Sequence, residues 1–116
     1  MMMNEDLQLK ESRLRRDRNR AAIALATVCR HHMAPDALPF PLRNALAAWE
    51  ETPPTATGPE RALALNDACQ EAMTWEADLL PQILPRLDRW RNARHDHIAA
   101  EAALYRASTA SERSQP

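Results

Sequence analysis

An all-α protein is the fold class that this sequence predicts: an irregular bundle of three longer helices plus one short helix, joined by proline-rich connectors. Three observations point there. The 116 residues include one glycine and nine prolines, whereas all-β domains need glycine in their tight hairpin turns. Alanine, leucine and arginine dominate the composition, and all three are good helix formers. Apolar residues recur over long stretches at a spacing of about 3.6, the helical period. A chain of this length is one domain's worth. It is expected to fold as a single helical domain over residues 1–107, with the first half of the first helix projecting and a flexible polar tail at 108–116.

The first helix is predicted from about Asn4 to His32. Leu7, Leu14, Ala21, Leu25, Val28 and His32 fall on one narrow stripe. Asp6 with Lys10, and Glu11 with Arg15, are acid-before-base pairs four apart, the order that favours an exposed helix. The stripe is thin up to Arg20 and thickens at "AAIALATVC". The second half is therefore expected to enter the core.

"MAPDALPFPLRN" follows, with prolines at 35, 39 and 41. Proline biases the residue before it away from the helical region, so this stretch reads as a rigid connector. Pro41 suits the first turn of a short second helix with Leu42, Ala45, Leu46 and Trp49 inward. "EETPPTATG" ends that helix.

Thr57 and Glu60 match a capping box at the start of the third helix, with Pro59 just inside its first turn. Its inner stripe reads Ala62, Leu65, Ala68, Cys69, Ala72 and Leu79, with Trp75 at the edge, and the alanines permit close approach of a neighbour. Prolines 81 and 85 in "LLPQILP" predict a break between helices. The last helix is predicted from about Pro85 to Arg106, with Leu87, Trp90, Ile98, Leu104 and Tyr105 inward. "ASTASERSQP" reads as a frayed tail.

The formal charge is −1, but it is segregated. Residues 1–49 carry eight basic and five acidic side chains, residues 50–80 one and seven, and residues 81–116 six and four. An acidic middle between basic flanks suggests charge complementarity or a partner that reads a charged face. Within "SRLRRDRNR", Arg13, Arg15, Arg16, Arg18 and Arg20 spread around the whole helix at 100° per residue. A helix in a DNA groove presents a coherent face, so a solvated helix end is the first reading, ahead of a protein-docking surface and of nucleic-acid contact. The single lysine beside fourteen arginines points to a GC-rich coding background more than to arginine chemistry.

In the last helix Arg94, His97 and Glu101 interrupt the apolar stripe between Trp90 and Leu104. Polar groups there must be paired, or the stripe must face something other than the core. Two readings stand level. One is a buried network that locks helix packing. The other is a recognition face on which Trp90, Arg94, His97, Glu101 and Tyr105 bind a protein partner, since tryptophan, tyrosine and arginine are the usual interface anchors.

Metal binding and catalysis find little support. Cys29 and His32, three apart, and His97 and Glu101, four apart, are half-sites that nothing in the sequence forces together. No glycine-rich loop cradles phosphate. All four serines lie near the termini. Cys29 and Cys69 sit in apolar helical settings that favour buried, reduced and inert thiols. No catalytic residue, metal or cofactor is expected. No stretch approaches the roughly 20 apolar residues of a membrane span, and the amino terminus lacks the order of a secretory signal, so a cytoplasmic location is expected.

The functional expectation is a non-enzymatic binding protein of the adaptor, secretion-chaperone or inhibitor kind, acting through helix faces on a protein partner. The first helix could also supply a homodimer seam. The alternative is a nucleic-acid accessory factor using Arg13, Arg15, Arg16, Arg18 and Arg20, joined by Arg89, Arg91 and Arg94.

Overall fold

The computed structural model describes residues 2–32, 38–52 and 58–113 and is all-α. Its helices are α1 (Met2–His31), α2 (Phe40–Glu51), α3 (Gly58–Thr74) and α4 (Leu84–Arg113), with one 3-10 turn at Glu76–Asp78. Three longer helices and a short one are thus present, and no strand occurs among the described residues.

The chain forms two compact units. One comprises Met1–Arg20 with Arg91–Pro116, the other Ala21–Trp90. Helices α1 and α4 each contribute to both.

The Ala21–Trp90 unit holds nearly all of the core. α1 supplies Ala21, Ala22, Leu25, Ala26 and Cys29; α2 supplies Leu42, Leu46 and Trp49; α3 supplies Leu65, Ala68, Cys69 and Ala72. Burying a leucine or tryptophan of this kind is worth about 1.5–3 kcal/mol or more. The small residues bring backbones together: the Cys69 thiol donates to the Ala22 carbonyl at 3.7 Å, across α3 and α1. Ala62, expected on the inner stripe of α3, is exposed; a lone methyl group adds little to a hydrophobic pattern.

Proline sets the element ends. Pro39 is the N-cap of α2, Pro41 lies in its first turn, and the Arg43 N–H bonds the Pro39 carbonyl at 3.0 Å. At the other end the Thr52 hydroxyl donates to the Ala48 carbonyl at 2.9 Å, and Arg61 of α3 reaches the Thr52 carbonyl at 3.4 Å. α3 begins at Gly58 with Pro59 second; the Thr57 half of the expected capping box lies outside the described residues. α3 stops at Thr74, and Leu79 takes an extended conformation ahead of Pro81. The break between the third and fourth helices is therefore real. The turn that makes it buries Leu79 and Ile83.

α4 starts one residue before Pro85 and runs to Arg113, past the expected end at Arg106. Leu87 and Trp90 are completely buried. Ile98 and Tyr105 are not inward as expected but 48% and 71% exposed. The buried positions that follow Trp90 are His97 and Ala100, and these set a face from which residues 98 and 105 point away.

Candidate functional site

The unit of Met1–Arg20 with Arg91–Pro116 pairs the first part of α1 with the greater part of α4. On α1, Leu7, Glu11, Leu14 and Arg18 recur at helical spacing, and all four are half-buried. On α4 the buried and half-buried residues at the same spacing are Ala93, His97, Ala100 and Leu104, of which only Leu104 is large and apolar.

His97 is 5% exposed and lies at the centre of a cluster. Its Nε2 is 3.0 Å from Glu11 Oε1, and Arg18 Nη1 is 3.1 Å from its Nδ1. A guanidinium only donates, so Nδ1 accepts from Arg18 and Nε2 carries the hydrogen that is given to Glu11. Glu101 Oε1 stands 3.3 Å from the same Nδ1, and Arg15 stands 3.7 Å from Glu11. Two arginines thus balance two glutamates in charge around the His97 ring. That balance is what allows polar side chains to interrupt an apolar seam.

The residues singled out in the sequence are not gathered into one surface. Trp90 has no exposed area and belongs to the Ala21–Trp90 core. Arg94 is half-buried, His97 is internal, and Glu101 and Tyr105 are exposed. Sequence reading missed Glu11 and Arg18 as partners of His97. The same signal could have marked them as polar interruptions, since both break the Leu7–Leu14–Ala21 stripe as His97 breaks that of α4. It also placed Ile98 inward, whereas Ile98 and Tyr105, seven apart, share one exposed face of α4.

The five arginines are sorted by the fold. Arg18 turns inward to His97 and Arg15 leans toward Glu11. Arg13, Arg16 and Arg20 remain exposed. With Leu9 they occupy positions i, i+4, i+7 and i+11, which is one face of a helix.

Recesses are also present among the described residues. A groove of about 300 Å³ is lined by Leu7, Lys10 and Leu14 of α1 and by Asp96, Ala99 and Ala103 of α4. A recess of about 330 Å³ in the other unit is lined by Arg30, Trp49, Glu50, Thr52 and Arg61. There Arg61 lies over the Trp49 ring, 5.9 Å from its centroid, and Arg30 pairs with Glu50. The indole N–H of Trp49 is buried with no hydrogen-bond partner among the described residues.

Nucleophile chemistry is not set up at the cysteines. Both are buried free thiols, and burial pushes the Cys29 pKa up to about 11. α1 ends at His31, so His32 lies in the turn beyond it, its N–H bonded to the Cys29 carbonyl at 3.0 Å. Among the described residues no three His, Cys, Asp or Glu side chains gather in a way that could hold a metal ion, and no helix is long and apolar enough to cross a membrane. In the acidic stretch Glu71 accepts a hydrogen bond from Trp75 Nε1 at 3.0 Å, Glu76 is half-buried, and Asp78 lies beyond the end of α3 in the 3-10 turn.

What the fold and these surfaces define is an all-α chain with exposed helix faces and open recesses. Comparison with known protein families, curated proteins and solved structures found no match to this chain.

Proposed function

We propose that this chain is a non-enzymatic binding protein that engages a protein partner through the outer face of α4. The observation that carries the reading is the pair Ile98 and Tyr105, two helical turns apart on one face, exposed by 48% and 71%. Glu101 is exposed between them and Arg94 is half-buried one turn before Ile98. An aromatic and a branched aliphatic side chain with charged neighbours make the usual anchor-and-rim arrangement of a helix-face contact. Trp90 takes no part in it, being internal. The His97 cluster joins this part of α4 to α1 through Glu11 and Arg18.

The test is a photo-crosslinking amino acid in place of Tyr105 in the full chain, introduced in the native host. A discrete protein adduct is expected there and not at exposed Arg86. The variant I98A/Y105A should lose that partner while its helical circular dichroism is unchanged. The nucleic-acid alternative requires duplex binding that weakens steeply with salt. Such binding, retained in I98A/Y105A and with no protein adduct at position 105, would overturn the proposal.

A further inference from the structure

Removing Arg15 and Arg18 from the arginine group leaves a coherent stripe that the full set of five conceals. Leu9, Arg13, Arg16 and Arg20 line the outer face of α1, and Leu9 is 69% exposed. No ion pair among the described residues engages these three arginines. Asp17 flanks the stripe, lowering its net charge to +2.

α3, in the other unit, carries the counterpart. Glu60, Leu63, Asp67 and Glu71 fall at i, i+3, i+7 and i+11, again one face. Leu63 is 64% exposed, Glu60 and Asp67 are exposed, and Glu71 is half-buried, with one carboxylate oxygen held by Trp75. Each stripe spans eleven residue steps, about 16 Å at the helical rise. The signs are opposite, the lengths equal, and each contains one exposed leucine. The units that bear them differ in the same sense: ten basic against seven acidic side chains (+3) in Met1–Arg20 with Arg91–Pro116, and five against nine (−4) in Ala21–Trp90.

We propose that the protein self-associates, the basic outer face of α1 in one copy docking on the acidic outer face of α3 in another. Charge complementarity selects this occupant. A nucleic acid would use the arginines but leave Leu9 and the acidic stripe without a role, and the −4 unit would repel it. A second copy uses both stripes and covers both leucines. The contact is heterologous, joining two different patches, so it builds a closed ring or an open chain of copies. It involves neither Ile98 nor Tyr105, and its failure would leave the α4 reading standing.

The experiment is the solution mass of the full chain by sedimentation and light scattering, at about 0.1 M salt, where charges act over about 10 Å, and at about 1 M, where they act over about 3 Å. A mass above monomer that rises with concentration and collapses to monomer in high salt is expected. The variants R13E/R16E/R20E and E60R/D67R should each be monomeric. Mixed in equal amounts they should associate again, because the acidic α1 of the first meets the basic α3 of the second. The milder R13Q/R16Q/R20Q and E60Q/D67N guard against misfolding and should also be monomeric. A wild-type chain that stays monomeric at millimolar concentration overturns the proposal. So does a mixture of charge-reversed variants that fails to associate, or a monomer that binds duplex DNA through the same three arginines.

Discussion

His97 occupies a seam position where leucine or alanine would ordinarily pack, and its two ring nitrogens meet groups of opposite charge. Replacement by leucine removes the 3.0 Å donor of the Glu11 carboxylate, whose side chain is 14% exposed, and leaves it only the 3.7 Å contact with Arg15. An unsatisfied buried acceptor costs about 1–3 kcal/mol. His97→Leu is therefore expected to lower the unfolding free energy, measured by denaturant titration, by that much or less, and His97→Gln by less still, since an amide both donates and accepts. Cys29 offers a second residue-scale test. Its thiol is 1% exposed and its pKa is raised from 9.0 to about 11. The unfolded chain sheds this proton first, so stability is constant below pH 9, falls as pH rises from 9 to 11, and levels off above. The loss is about 3 kcal/mol. Cys29→Ala should flatten that part of the stability–pH curve, measured by denaturant titration. The polar interruption at Arg94, His97 and Glu101 was legible in the sequence. That Glu11 and Arg18 interrupt the α1 stripe was legible in the same way, but their pairing with His97 was not, because they lie 86 and 79 residues away and local spacing carries no information at that range.

α4 changes its neighbours along its length. Trp90 is sealed in the Ala21–Trp90 core, whereas Tyr105 is 71% exposed. Trp90→Ala should cost about 3–5 kcal/mol, the usual cost of emptying a buried aromatic site. Tyr105→Ala should lie within about 0.5 kcal/mol of wild type. Thermal melts of the two variants check this, and the reverse order would contradict the fold. The α2 face Leu42, Leu46 and Trp49 was readable because its apolar residues are large and its polar ones lie opposite. α4 was harder to read: charged and apolar residues alternate around its circumference, so no phase of the helical period separates inside from outside for Ile98 and Tyr105. On α3 the close approach of Cys69 to the Ala22 carbonyl leaves no room for growth. Ala68→Leu should therefore destabilise by about 1–3 kcal/mol through overpacking, again read from melts.

Across the whole molecule the buried apolar side chains are unevenly shared. Among the described residues, all but Ala100 belong to Ala21–Trp90. The other unit relies on half-buried leucines and the His97 cluster. Hydrogen exchange followed by mass spectrometry should find amides of residues 7–18 and 95–108 exchanging before those of 42–49 and 65–72, because local opening is governed by how much apolar surface holds a segment down. Uniform protection across both sets would contradict the two-unit description. The all-α class was legible in composition and period. The division at residue 20 was legible as the thickening of the apolar stripe at Ala21, whereas the division at residue 90 was not: α4 passes through it as an unbroken helix, without the proline or glycine that marks a linker.

The discontinuity of one unit in sequence has a consequence for how the chain is made. Residues 21–90 leave the ribosome as a consecutive run and meet all of their packing neighbours early. The amino-terminal stretch, synthesised first, must wait for residues 91–113 before its docking face is covered, a delay of several seconds at about 5–20 residues per second. During that interval the Leu7–Leu14 seam and the Glu11 and Arg18 side chains stand open to water, and a nascent-chain chaperone would find its exposed segment ahead of the residue 21–90 run and not within it.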